Sequence, residues 1–145
     1  MPYRPMTDAE VEAFLRTEPP HTGKIGTVRK DGSPHVAPVW FALDDDGRIV
    51  FTTGATTVKG HSLARDPRLA ICVDDERPPF SFVLVEGRAE IVDDVDLVRR
   101  WATVIGGRYM GADRAEEYGA RNGVPGELLI RVHPEKVTSA KDLAD

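Results

Sequence analysis

Four threonines and one lysine stand close together in the segment TTGATTVK, residues 52–59. Hydroxyl groups and a lysine ammonium can all donate hydrogen bonds to an anion. Thr56 or Thr57 is placed to cap a short helix that carries Lys59 in its first turn, and the free amides at a helix start also favour anions. The segment therefore predicts an anion site, most simply for a phosphate. The alternative is a solvated lysine after an ordinary threonine-rich turn.

The elements that must position this loop are mostly β-strands. Residues 24–29, 34–43 and 48–53 are apolar segments separated by turn sequences, which predicts an antiparallel meander. Further strands are predicted at 69–73, 80–91 and 127–133, with Gly87 as a β-bulge. Six or seven antiparallel strands of this kind predict a small closed β-barrel.

Helices are predicted around the sheet. Thr7 and Glu10 have the spacing of a capping box, which predicts a short N-terminal helix. A helix at 96–105 is expected to end at Gly106 and Gly107, and a weaker helix is expected at 113–121. The fold class is therefore mainly β with peripheral helices (α+β), and the length of 145 residues suits a single domain over residues 1–145.

The predicted strand 34–43 is apolar on both faces. Because a strand of a lone barrel normally has one polar face, we expect a partner subunit or a flat ligand to cover its outer side. Pro38 lacks a backbone donor, so the sheet must be open, bulged or at an edge there. The opening beside Trp40 could hold a planar ring. Trp40 is equally compatible with a dimer interface or the core.

The composition limits the classes of partner. The net charge of −5 argues against nucleic-acid and membrane-surface binding, which need a clustered basic face, and leaves a small molecule as the expected partner. No apolar run approaches a membrane span and the N-terminus lacks a signal-peptide pattern, which predicts a cytoplasmic protein. The lone Cys72 lies in an apolar run and is expected to be buried and inert. The four histidines show no metal-ligand spacing.

Three motifs in register, DGSPHVAPVWF, TTGATTVK and LARDPR, are similar to the split β-barrel flavin and deazaflavin oxidoreductases. This is the pyridoxamine 5'-phosphate oxidase-like superfamily, and the chain most resembles its actinobacterial F420-dependent branch. The similar segments, which include the ending LLIRVHPEKVTSAKDLAD, cover more than half of the chain. The resemblance implies an FMN-binding type of split barrel and a homodimer whose two cofactor clefts lie between the subunits.

The resemblance also implies which residues bind the cofactor. The backbone of one strand would lie along the tricyclic ring, the end of the next strand would contact the ring or its ribityl chain, and the following loop would hold the phosphate. A proline-rich segment of the other subunit, 77–82, would close the cleft. The corresponding residues are Val36, Ala37, Pro38, Val39 and Trp40 for the ring, Thr52 and Thr53 for the ribityl chain, Thr57, Val58 and Lys59 for the phosphate, and Arg77, Pro79 and Phe80 for closure.

The implied activity is hydride transfer from reduced coenzyme F420 to an unsaturated small molecule. Such chemistry requires no obligatory catalytic side chain, although His35 or His61 could supply a proton. The loop offers Lys59 as its single cation and the C-terminus lacks the arginine motif of the pyridoxamine-phosphate oxidases, which favours F420 over FMN. Two alternatives stay open: an FMN-binding oxidase or flavin reductase, and a non-catalytic protein that binds or stores the cofactor.

Overall fold

A computed structural model describes residues 4–145. The strands are β1 (Gly23–Val28), β2 (Pro34–Val39), β3 (Ala42–Leu43), β4 (Ile49–Gly54), β5 (Arg68–Asp75), β6 (Ser81–Val92) and β7 (Glu127–Ala140). The helices are α1 (Asp8–Leu15), α2 (Val58–Arg65), α3 (Val95–Met110) and α4 (Ala115–Asn122), with a 3-10 turn at Ala112–Arg114. The seven antiparallel strands form one curled sheet in the order β2-β1-β5-β6-β7-β4-β3, which confirms the predicted split barrel.

The core lies inside the curl of the sheet. Alternate side chains of the strands point inward, and Ile25, Phe51, Ile71, Val83 and Ile130 are completely buried there. Each such side chain contributes about 1.5 to 3 kcal/mol on burial. The predicted capping box of α1 is confirmed, since the Thr7 hydroxyl accepts from the Glu10 N–H and the Glu10 carboxylate accepts from the Thr7 N–H. The predicted bulge is confirmed by a register shift between Glu86 and Gly87.

The predicted strand 34–43 is wrong as a continuous element. The chain leaves the sheet at Trp40 and Phe41, so that β2 pairs with β1 at one edge and β3 pairs with β4 at the other. Both pairings of the predicted meander form, β1 with β2 and β3 with β4, but the break puts them at opposite edges of the sheet. Pro38 does lie on an edge strand, as its missing N–H requires.

The predicted end of the long helix at Gly106 and Gly107 is also wrong. Helix α3 continues to Met110 and ends at Gly111, which has a positive φ of 104°. A Cβ on Gly106 would lie 2.3 Å from the Tyr118 Cβ, so this glycine allows α4 to pack closely on α3. The final strand is longer than predicted, because β7 passes Pro134 at the bulge and pairs with β6 as far as Ala140.

Candidate active site at the start of helix α2

The start of α2 has the local structure that the threonine-rich loop predicts. Thr57 is the N-cap, and its Oγ1 accepts from the Gly60 N–H at 3.1 Å. Lys59 lies in the first turn of the helix, and within residues 4–145 the N–H groups of Val58 and Lys59 have no acceptor. A cation and two free amides at the positive end of a helix dipole favour a bound anion.

Two of the loop hydroxyls are already used by the protein. The Thr57 hydroxyl donates to the Gly54 carbonyl at 2.8 Å, so the 3.1 Å contact between the Thr53 and Thr57 Oγ1 atoms is donated by Thr53. These bonds fix the turn between β4 and α2. The donors left for an anion are the Lys59 ammonium and the free amides, with the Thr52 and Thr56 hydroxyls beside them.

Gly60 brings α2 against this loop. A Cβ at that position would lie 2.2 Å from the Gly54 carbonyl oxygen and 3.0 Å from that of Ala55. Only glycine allows the helix to approach its own preceding turn so closely. The close approach keeps the first turn of α2, which carries Lys59, beside the end of β4.

A cavity of 290 Å³ lies between this loop, the end of β2 and helix α3. Its apolar side is formed by the end of β2 and by one face of α3, and its polar side by the end of β4, the α2 loop and the start of β7. The lining residues are Pro38, Val39, Trp40, Thr52, Thr53, Gly54, Thr57, Lys59, Ala102, Ile105, Gly106, Asn122 and Glu127. The cavity is therefore suited to a ligand that is apolar at one end and anionic at the other.

Two tyrosines fix the Trp40 indole beside the cavity. The indole stacks on the Tyr109 ring with a centroid distance of 5.1 Å and an interplanar angle of 4°. The Tyr118 ring makes an edge contact with it at 5.6 Å. These contacts join α3 and α4 to the point where the chain leaves β2.

The backbone at Phe41 is held by α3. The Phe41 N–H donates to the Tyr109 hydroxyl at 3.3 Å, and the Phe41 carbonyl accepts from the Arg108 guanidinium at 2.7 Å. Arg108 also donates to the carbonyls of Leu15 and Thr17. Backbone groups released by the strand break are thus satisfied by α3, which accounts for the break.

Two charged side chains line the cavity within residues 4–145, Lys59 and Glu127. Burial raises the pKa of the Glu127 carboxyl, and the nearby positive charge of Lys59 lowers it by a smaller amount. Thus the polar side of the cavity contains both a cation and a carboxylate.

Comparisons with known proteins decide the family. The family model described as pyridoxamine 5'-phosphate oxidase matches residues 7–141. The chain belongs to the pyridoxamine 5'-phosphate oxidase family.

The chain is also similar to three individual proteins. It is 30% identical to an F420H(2)-dependent biliverdin reductase of Mycobacterium tuberculosis, covering 92% of this chain and 88% of that protein. It is 28% identical to a 5a,11a-dehydrotetracycline/5a,11a-dehydrooxytetracycline reductase of Streptomyces rimosus, covering 93% and 82%. A crystal structure of a conserved hypothetical protein from Mycobacterium tuberculosis has a TM-score of 0.83 at 27% identity, covering 97% of this chain and 89% of that one.

Seven of the predicted cofactor-binding residues line the cavity. They are Pro38, Val39, Trp40, Thr52, Thr53, Thr57 and Lys59. Val36 and Ala37 lie farther along β2, and the Val58 side chain is exposed on the helix. Their roles, like those of the seven, stay predictions.

The predicted closing segment lies elsewhere in the chain, in the turn between β5 and β6. Arg77 forms an ion pair with Asp75 at 3.1 Å, next to Pro79 in the same turn. Phe80 is partly exposed with a positive φ of 64°, a strained conformation for a bulky residue. Closure was predicted to come from the other subunit, so that role stays a prediction as well.

The remaining lining residues were missed from the sequence. Ala102, Ile105 and Gly106 belong to the apolar stripe of α3, which has the same spacing whether it faces a core or a cavity. Asn122 and Glu127 stand at the two ends of the loop from α4 to β7, and their place depends on β7 pairing with β4.

The other reactive side chains lie outside the cavity. Neither His35 nor His61, the two proton donors considered from the sequence, lines it. Cys72 is only half-buried, because it points to the outer side of β5 rather than into the core, so its predicted burial is wrong. Partial burial, aided by the charge of Asp74, raises the pKa of its thiol.

Proposed function

We propose that this protein is an oxidoreductase that uses reduced coenzyme F420 to reduce an unsaturated small molecule. The observation that carries the proposal is that Lys59, at the start of α2, shares one cavity with the apolar wall around Trp40. The similarity to an F420H(2)-dependent biliverdin reductase supports the choice of cofactor. The second relative is also a reductase, which supports the reaction class.

The cavity fits a deazaflavin in three parts. The ring would lie against the β2 backbone near Trp40, opposite Ile105 of α3. The ribityl chain would pass Thr52, whose hydroxyl is not used in the turn. The phosphate would be held by the Lys59 ammonium and the free amides of α2, with the acidic tail leading to solvent.

When bound, the reduced cofactor supplies a hydride from carbon 5 of its ring. The protein residues contribute orientation and water exclusion. Arg108 and Tyr109 fix the backbone beside Trp40, so the ring site is formed before the cofactor enters. Among residues 4–145, the cavity has no titratable side chain at its apolar end. The proton that completes the reduction would therefore come from solvent or from the substrate.

A homodimer is part of the proposal. The sheet face formed by β1, β2, β5 and β6 carries a groove of 420 Å³ with an apolar floor that includes Gly26, Val28 and Ala70, bordered by the charged residues Arg68, Glu86 and Glu135. On the same face the Val36 side chain is 68% exposed. Apolar surface of this kind on a sheet suits a second copy of the chain. That copy would bring its own segment 77–82 to the open side of the cavity, as the closing role requires.

Turnover separates this function from cofactor storage. The purified protein should oxidise reduced F420 when it is offered conjugated enones, quinones or linear tetrapyrroles, measured by the recovery of deazaflavin absorbance. Denatured protein with the same acceptors is the control. Tight binding without oxidation by any acceptor class would contradict the reductase and favour storage.

A further inference from the structure

The Glu127 carboxylate is the feature of the cavity that a phosphate site does not explain. Glu127 is the first residue of β7 and is paired with Gly54, the last residue of β4. Its Oε1 lies 3.5 Å from the position that a Cβ on Gly54 would occupy, so the carboxylate lies over the end of β4. Within residues 4–145 it has neither a hydrogen-bond donor nor an ion-pair partner within 4 Å.

A carboxylate at this place has a cost. It is partly withdrawn from water without a donor in return, which destabilises its charged form. It would also repel a phosphate bound at Lys59, since both groups face one cavity. Lys59 is the charged group opposite it, and Asn122 and the loop threonines are the other polar side chains there. Because the Glu127 carboxylate lines the open cavity, hydrogen-bond donors of a bound ligand can reach it.

The sheet register shows which part of the ligand Glu127 would meet. Thr53 is paired with Leu128 and Gly54 with Glu127, so Glu127 stands one position beyond Thr53 in the direction of α2. The carboxylate therefore lies beside the end of β4 that leads into the turn before Lys59. In the proposed binding mode the ring is at one end of this path and the phosphate at the other. Between them lies the polyol chain, whose hydroxyls are donors.

We propose that Glu127 accepts hydrogen bonds from the hydroxyls of the cofactor's polyol chain and so selects ligands that carry one. The proposal rests on the proposed function. It assigns opposite tasks to the two charges of the cavity: Lys59 binds the phosphate, and Glu127 binds the neutral donors beside it. An ionised acceptor gives stronger hydrogen bonds than a neutral one, so the charge contributes to the selection.

The test compares two variants with three ligands. Glu127→Leu removes the acceptor, and Glu127→Gln keeps one acceptor oxygen without the charge. The ligands are F420, its ring with the ribityl chain but no phosphate or tail, and the same ring with a methyl group in place of the ribityl chain. Dissociation constants are measured by quenching of tryptophan fluorescence, because Trp40 lines the cavity. Glu116→Gln, which removes an exposed charge on α4, is the control.

Glu127→Leu should weaken both polyol-bearing ligands by ten-fold or more, and the methyl-substituted ring by less than two-fold. Glu127→Gln should fall between Glu127→Leu and the wild type, and Glu116→Gln should equal the wild type. Tighter binding of F420 by both variants would overturn the proposal, because Glu127 would then only repel the phosphate. Equal losses for all three ligands would also overturn it and indicate a structural role.

The failure of the proposed function gives a different result. If the wild type binds F420 and the Glu127 variants bind it equally well, only the Glu127 proposal is contradicted. Wild-type protein that binds FMN instead of F420 contradicts the proposed function. In that case the affinities of the same variants are measured for riboflavin and for its ring with a methyl group in place of the ribityl chain. The Glu127 proposal then requires that Glu127→Leu weakens riboflavin binding and leaves binding of the methyl-substituted ring unchanged. Wild-type protein that binds neither cofactor overturns both.

Discussion

Replacing Lys59 by alanine is expected to weaken F420 binding by about 1.5 to 3 kcal/mol, or about ten- to 150-fold, because one charge-assisted contact to the phosphate is lost. The ammonium stands at the start of α2, where a positive side chain opposes the helix dipole unless an anion is present. Titration of the purified variant with F420 measures the effect. The loss should be larger at low ionic strength, since salt screens the contact.

The matched control is Lys30→Ala, which removes the same charge from an exposed turn. It should bind F420 as the wild type does. The melting temperature of Lys59→Ala should stay close to that of the wild type, because within residues 4–145 Lys59 forms no ion pair within 4 Å and its attraction to Glu127 is outweighed by the burial of that carboxyl. Unchanged affinity in Lys59→Ala would show that the phosphate is bound elsewhere.

Replacing Arg108 by alanine is expected to lower the free energy of unfolding by about 3 kcal/mol, since it would leave buried backbone acceptors without a donor. The Arg108 side chain is only 10% exposed. It donates to the carbonyls of Phe41 at 2.7 Å and Leu15 at 2.6 Å, and its Nε donates to the Glu18 carboxylate at 3.1 Å. One side chain thus joins the end of α1 to the strand break beside the cavity.

Urea unfolding followed by circular dichroism measures this loss, and Arg100→Ala is the matched control because Arg100 is exposed on the same helix. The control should change the free energy of unfolding by less than about 0.5 kcal/mol. Folded Arg108→Ala should also bind F420 more weakly, because the position of Trp40 depends on the adjacent Phe41 backbone that Arg108 holds. A loss of stability no larger than that of the control would contradict the role given to Arg108.

Local signals in the sequence predicted the local structure well. The capping box at Thr7, the bulge at Gly87 and the helix start at Thr57 all depend on residues within a few positions of one another. The strand break at Trp40 could not be predicted in this way. The apolar alternation continues through it, and the donors that replace the sheet partners come from Arg108, 67 residues away.

The candidate site likewise has one part that depends on nearby residues and one part that depends on residues distant in the sequence. The loop with Lys59 was predictable because β4, the turn and α2 are consecutive in the chain. The contribution of Glu127 was not, because it depends on the pairing of β7 with β4 and on the register that puts Glu127 opposite Gly54. Fewer loop hydroxyls are free for an anion than the sequence predicts, because Thr53 and Thr57 bond each other and the turn.

We propose that the cavity at the start of α2 binds a deazaflavin. The most direct measurement is a pair of titrations of the purified protein with F420 and with FMN under identical conditions. We expect F420 to bind more tightly than FMN, because the loop that would hold the phosphate offers Lys59 as its single cation. Tighter binding of FMN, or binding of neither cofactor, would contradict this account.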